Sequence, residues 1–553
     1  MQDLESGYET LFAWLVEHHV DFDYGDEEML GRLGGVGMDA NGFYLSLGSA
    51  RYHSVVVPRM TTIRSSTIKW LTEFQRKGGV IVFPSDPPRY IDAAPSTAAV
   101  ELSHGATRVP WDGDALVAAL TRARPNPVEI KDADGKDAGQ IFYQLRNDSP
   151  RQILAVMSMD RQNWIRGVRL RIKGAGFVTE WDCRTAERFR IPATSEDGWL
   201  SWTSDFPPLG ERLFVITHEP AQVPTKPSYT EVASQPVHGP FAYTLSEPNV
   251  LVLDLAQYRV GDSAWMPESE VLKIDEAVRH QLGLPLRAGN EIQPWFERKH
   301  FPLPKAVGRL QMRFQFEIQQ MPASPVQLAM EQPANFKVLL NGKPVESNPN
   351  SGWWIDPAIR TLALQPQLIK PGTNTVELST DFRADVDIES LYLIGAFGVR
   401  LNGTSKIITA LPPTLEPTDL VNQGLPFYSG VVTYHIPIPK QTKTMERVVV
   451  KTPQFEAACI KAGTGNSPKQ MIAWQPYQAE IPEEALHRGE LDLQVTLTRR
   501  NTFGPLHLTP KKAVAYGPDS FRSQGPAWSQ TYQLYPSGLL SNPVMAAYKL
   551  DAK

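Results

Sequence analysis

The chain has 553 residues, 42% hydrophobic and 21% charged, the balance of a folded protein of about three or four domains at roughly 150 residues each. Its 55 Lys and Arg against 60 Asp and Glu give a net charge of −5, which leaves no basic excess for phosphate pairing, and its apolar runs are strand-sized; a nucleic-acid partner and a membrane span are both excluded as expectations. Forty-seven prolines, about 8.5% of the residues, disfavour helix, and two distant cysteines, Cys183 and Cys459, exclude a disulfide framework or a Cys-based zinc site.

The opening segment MQDLESGYET has neither the basic nor the apolar region of a signal peptide, so the chain as written is expected to be cytoplasmic. Leu11, Phe12, Leu15 and Val16 recur at helical spacing and predict an amphipathic helix over 5–19. Val55, Val56 and Val57 mark a buried strand within 52–60. The run SSTIKWLTEFQRKGG then predicts a helix with Ile68, Leu71 and Phe74 on its stripe and Gly78-Gly79 at its end. A strand at 80–83 and a helix at 113–123 follow. Strand–helix–strand with a short turn implies a parallel sheet, so residues 1–125 are expected to form an α/β domain.

From 126 the pattern changes to period two. Segments 141–147, 151–158, 168–174, 176–182 and 211–219 read as strands, predicting a β-sandwich over 126–222. Residues 223–240, with Pro224, Pro227, Pro236 and Pro240, read as a linker. A strand over 249–258 and a helix over 267–283, with Pro267 in its first turn and Gly283 as its cap, open the next region. An internal repeat follows. The copies are 336–379, FKVLLNGKPV to TNTVELS, and 455–498, FEAACIKAGTG to LQVTLT. Each carries a Trp shortly before a Pro (Trp354 and Pro357, Trp474 and Pro476) and ends in a Gly-opened turn into an alternating strand. Two related sandwiches, 241–400 and 401–553, are therefore expected. The fold class is multidomain and mainly β, with the α/β domain first.

The chemistry carried by local motifs is sparse. There is no phosphate-loop or dinucleotide fingerprint, no H-E-x-x-H and no nucleophile elbow; catalytic residues are not identifiable. Asp381, Asp385, Asp387 and Glu389 stand at odd spacing and would share one strand face, an oxygen-rich set suited to a structural Ca²⁺ or to no more than an exposed strand. Trp353, Trp354, Trp474 and Tyr477 fall in or near the loops of the repeated domains, where aromatic rings can stack on sugars or simply fill a core. The turn RRNTFGPLH supplies Asn501 and His507, either as polar sugar contacts in a functional loop or as parts of a structural turn.

These segments together resemble a known group. FKVLLNGKPV…PGTNTVELS resembles the galactose-binding-like jelly roll of large bacterial glycoside hydrolases. NVLVLDLAQY, IQPW (292–295), ESLYLIGAFGV, GLPFYSGVVTYH, AWQPY and RRNTFGPLH resemble the C-terminal half of α-L-rhamnosidase-like, polysaccharide-degrading enzymes. FDYGDEEML, YHSVVVP and LTEFQRKGGVIVF are similar to the glutamine-amidotransferase-like (flavodoxin-like) domain that follows the catalytic barrel there. One departure is Ala396, where an acid is expected. The resemblance implies an accessory, carbohydrate-binding portion without the catalytic barrel, with plant or algal saccharide and a separately encoded barrel as expected partners. A stand-alone binding or assembly protein, and a glycosidase with its site at a domain junction, remain the other expectations.

Overall fold

The computed structural model describes residues 2–286, 299–346, 352–440, 446–465, 467–509 and 523–551. The IQPW segment lies outside the described residues. Two compact units emerge, Met1–Ser228 with Trp474–Pro476, and Tyr229–Ala473 with Tyr477–Lys553. No helix of the described residues is long and apolar enough to cross a membrane.

The first unit opens with α1 (Gln2–Glu17), which buries Gly7, Leu11 and Leu15. Asp26 caps α2 (Glu27–Leu33) by accepting from the Met29 amide at 2.8 Å. The expected strand–helix–strand is present: Ser54–Val56, α3 (Ser65–Arg76) and Val80–Phe83, the two strands parallel with Val55 opposite Ile81. Thr107–Arg108 extends that sheet in parallel beyond α4 (Ala98–His104), and α5 (Gly113–Ala123) follows. Phe74 leaves no room for a Cβ at Gly79, whose ideal Cβ would lie 2.2 Å from the ring, so glycine is required at the helix-to-strand turn. The sandwich behind this domain pairs a four-stranded sheet around Ile165–Lys173 with a five-stranded sheet around Glu211–Thr217. Val128, Ile130, Ile141, Leu154, Leu170, Trp202 and Phe214 fill the space between, the alternate residues of each strand as period two demands.

The second unit contains two mainly antiparallel sandwiches whose strands follow one order. In the first, Leu255–Val260, Gly308–Ile318, Gly372–Phe382, Lys337–Leu340 and Lys343–Pro344 are neighbours in that order. Asn249–Leu253, Leu391–Gly395, Gln327–Glu331 and Asp356–Ala363 form the facing sheet. In the second, Ala242–Leu245, Val431–Pro437, Glu490–Thr496, Cys459–Gly463 and Gln470–Ile472 repeat the first order. Tyr229–Pro236, Val544–Leu550, Arg447–Lys451 and Gln478–Glu480 repeat the second. The repeated segments occupy matching places: Val338 opposes Leu378 as Ile460 opposes Val495.

One sandwich is nested in the other. Tyr229–Pro236 pairs antiparallel with Val544–Leu550, and Ala242–Leu245 with Val431–Pro437. The second sandwich thus takes its first two strands from before residue 249 and the rest from beyond 430. This corrects both the linker expected at 223–240 and the boundaries 241–400 and 401–553. Tyr229–Pro236 is an outermost strand with mostly exposed side chains, so it lacks the alternation that marks a half-buried strand.

The C-terminal helix is also shifted. Pro267 lies in the strand Met266–Glu270, and α6 (Val271–Leu282) starts four residues later than its proline suggested. Glu270 is its N-cap, accepting from the Leu272 and Lys273 amides at 3.0 and 3.4 Å, and Gly283 closes it at φ 67°. Two short helices, α7 (Glu483–Arg488) and α8 (Arg500–Phe503), complete the unit.

Candidate functional site

A lone acid interrupts the apolar run Asn249–Leu253 and Leu255–Val260. That acid, Asp254, is 2% exposed and so shielded from bulk solvent. Three side chains reach it from distant parts of the sequence or charge its surroundings. His507, just beyond α8, places Nε2 3.1 Å from Asp254 Oδ2 and Nδ1 3.0 Å from the Ser529 carbonyl. Both ring nitrogens face acceptors, so both carry protons and the ring is an imidazolium. The Tyr532 hydroxyl donates to Asp254 Oδ1 at 2.7 Å. Lys406, 2% exposed, contributes positive charge, and its Nζ has no hydrogen-bond partner among the described residues.

The electrostatics follow from this arrangement. Burial works against the Asp254 carboxylate, but the hydrogen bond and charge of His507, the charge of Lys406 and the Tyr532 hydroxyl outweigh it and hold its pKa below the ordinary value. Burial likewise opposes the His507 imidazolium, and the Asp254 bond and charge raise its pKa regardless. At Glu270 the His507 charge and the Leu272 and Lys273 amides favour the carboxylate but are outweighed. Burial first, then the Asp254 charge, push its pKa up to about 7. Burial lowers the Lys406 pKa against the pull of Asp254 and Glu268.

A cleft of about 480 Å³ adjoins this network, between Lys273, Glu276, Ala277 and His280 of α6 and the turn Ser523–Trp528. Glu276 is held in place, accepting from Ser523 Oγ at 3.3 Å and Gln524 Nε2 at 2.6 Å. The Trp528 ring lies near-parallel to His507, centroids 5.9 Å apart, and Lys273 Nζ sits 3.0 Å from the Trp528 centroid. The cleft thus has an aromatic wall, a carboxylate, an ammonium, an amide and an imidazole, mounted on a buried ion pair. Such a lining offers hydrogen-bond donors and acceptors beside one aromatic face, in a space the size of a small polar molecule.

Of the residues expected from sequence, His507 alone belongs to this network. Trp354 is corrected from sugar platform to core: it is 6% exposed, with its ring 5.2 Å from Tyr392 and 6.0 Å from Phe503. Its neighbour Trp353 points the other way and is 54% exposed, as alternation along a strand requires. Trp474 is 38% exposed, and Tyr477 packs edge-on against Phe455 at 4.9 Å. Asn501 is corrected to a backbone clamp. Its amide donates to the Tyr535 carbonyl at 2.8 Å and accepts from the Tyr535 amide at 3.0 Å. Asn501→Ala should therefore lower stability by about 1–3 kcal/mol in urea unfolding while saccharide affinity stays at the wild-type value.

The calcium expectation loses its geometric premise. The strand ends at Phe382, so Asp381, Asp385, Asp387 and Glu389 do not alternate along one face. Asp385 is 1% exposed and holds the Arg383 guanidinium at 2.9 and 3.3 Å, a cation where calcium would need to be. Among the described residues, the His and carboxylate group close enough for one ion is instead His435, Glu490 and Asp492. Asp254, Glu270, Lys406, Tyr532, Lys273 and Glu276 were not expected. Only Asp254 carries a readable signal, a single acid inside a buried strand.

No protein-family model matches the chain, and no curated protein sequence matches it. Among solved structures it is similar to a rhamnosidase from Novosphingobium sp. PP1Y, at 14% identity over 67% of this chain and 36% of that one, TM-score 0.28. It is also similar to an apo exo-carrageenase GH42 from Bacteroides ovatus (10%, 39% and 27%, TM-score 0.25). A third is α-L-fucosidase isoenzyme 2 from Paenibacillus thiaminolyticus (10%, 38% and 45%, TM-score 0.24). The matched region spans less than half the length of each of these proteins. All three are glycoside hydrolases, and the likeness is one of fold at a coarse level.

Proposed function

We propose that this chain is the carbohydrate-binding, accessory portion of a polysaccharide-degrading glycoside hydrolase, and that the α6 cleft holds the saccharide. The observation that carries the reading is the cleft itself, sized for a sugar and walled by a prearranged carboxylate, amide and indole. The twin sandwich topology and the resemblance of its segments to the C-terminal half of α-L-rhamnosidase-like enzymes support it. Catalysis in this reading belongs to a domain outside residues 1–553. Calorimetric titration with rhamnose-containing oligosaccharides tests it. Binding should weaken about ten- to a hundredfold in Glu276→Gln, the range of a hydrogen bond to a charged group. No saturable binding to any oligosaccharide, or full affinity in Glu276→Gln, contradicts it.

One observation favours a second reading, a glycosidase with its site at the sandwich junction: Glu270 titrates near neutrality beside a charged Asp254, the pairing expected of an acid and its partner. Hydrolysis of an aryl α-L-rhamnoside that disappears in Glu270→Gln would establish it; inactivity of the pure protein removes it.

A further inference from the structure

The face of α1 turned away from its own domain is aromatic. Leu11 and Leu15 are buried, but Tyr8 and Phe12, one helical turn apart, are 39% and 44% exposed. The segment after the helix adds Phe22 and Tyr24, the latter 62% exposed. The four rings are continuous: Tyr8 to Tyr24 at 6.4 Å, Tyr24 to Phe22 at 5.6 Å, Phe22 to Phe12 at 5.9 Å. Phe22 is partly buried against the Leu11 and Leu15 cluster and links the exposed Phe12 and Tyr24, so the exposed rings are contiguous rather than scattered singly.

Its charge says what covers it. Residues 1–31 hold nine carboxylates and no Lys or Arg. Asp3 pairs with Arg59, and Asp26 caps α2. Glu5, Glu9, Asp21, Asp23 and Glu27 form no ion pair among the described residues; the Tyr52 hydroxyl donates to Asp23 at 2.8 Å, and Glu27 accepts from the Arg64 backbone amide. Burial and the neighbouring Asp23 charge raise the Asp21 pKa, so a cation arriving here relieves a standing repulsion. The Glu27 charge reaches Tyr8 and helps raise its pKa after burial does, and Asp21 and Asp23 adjoin Phe22 and Tyr24 in the chain; aromatic rings beside unpaired carboxylates match a guanidinium or ammonium, which each ring attracts through its quadrupole.

We propose that this face, Tyr8, Phe12, Phe22 and Tyr24 with Asp21 and Asp23, docks a Lys- or Arg-bearing protein segment. A neutral saccharide would use the rings but gain nothing from the surrounding charge, and an anionic lipid surface would be repelled.

The test titrates labelled hexa-arginine into the full chain at low ionic strength and follows fluorescence anisotropy. Saturable binding should weaken roughly tenfold in Phe12→Ala/Tyr24→Ala, which leaves every charge in place. It should weaken comparably in Asp21→Asn/Asp23→Asn, which leaves every ring. Both pairs are exposed enough for the fold to persist, and unchanged thermal melting confirms that it does. Affinity indifferent to the ring variant means general acidity and overturns the proposal. So does absence of saturable binding, or a cello-oligosaccharide that binds this face with the same dependence on the rings.

Discussion

His507→Ala is expected to lower the stability of the nested sandwich pair by about 3–5 kcal/mol, read as an earlier urea midpoint of that unit. The substitution removes one partner of a fully buried ion pair. Asp254 keeps the Tyr532 hydroxyl but loses its hydrogen-bonded counter-ion, and the Ser529 carbonyl loses its donor. The Trp528 ring loses its stacking partner as well, so the cleft wall loosens and saccharide affinity falls with stability. A loss below about 1 kcal/mol would place His507 in water rather than against Asp254.

Glu270→Gln is expected to have the opposite sign above neutral pH. The folded-state pKa of Glu270 is about 7 against an ordinary 4.5. A raised carboxyl pKa means the folded state holds a proton the unfolded chain has released, so stability is greatest below about pH 4.5 and declines as pH rises to about 7. The full decline is roughly 3 kcal/mol. Glutamine keeps an oxygen for the Leu272 and Lys273 amides and carries no charge beside Asp254, so the variant should escape this decline and be the more stable protein at pH 8. The raised pKa of His507 acts in the same direction: its contribution is complete below the ordinary imidazole value, about 6.5, and fades as pH climbs through the folded value. Asp254 acts in reverse, its contribution fading in acid as pH drops through its lowered pKa. Unfolding midpoints across pH 4 to 9 for both proteins check the assignment; parallel curves would contradict it.

The α/β domain was legible because its signals are local. Three consecutive valines, an apolar stripe and a Gly-Gly stop specify strand–helix–strand within thirty residues, and the strands pair in parallel as that pattern requires. The repeat was legible for a similar reason, since matching segments at 336–379 and 455–498 fold into matching places. Nesting was not legible. Tyr229–Pro236 is a solvent-facing outer strand bearing proline at its end, and its partner lies more than three hundred residues away at Val544–Leu550. The site was legible in one residue of its network, His507. Asp254, Glu270, Lys406 and Tyr532 meet only after both sandwiches close, and no short motif spans them. Trp354 misled because Trp353 and Trp354 are equivalent in composition and opposite in direction: a one-residue difference along a strand decides between core and solvent.

The most direct test of sugar binding at the α6 cleft is the set of indole resonances of the ¹⁵N-labelled protein during titration with an oligosaccharide. The Trp528 signal should shift progressively and saturate, with Trp353 and Trp474 unmoved. Shifts at Trp353 or Trp474 with Trp528 stationary would put the saccharide elsewhere and contradict the cleft.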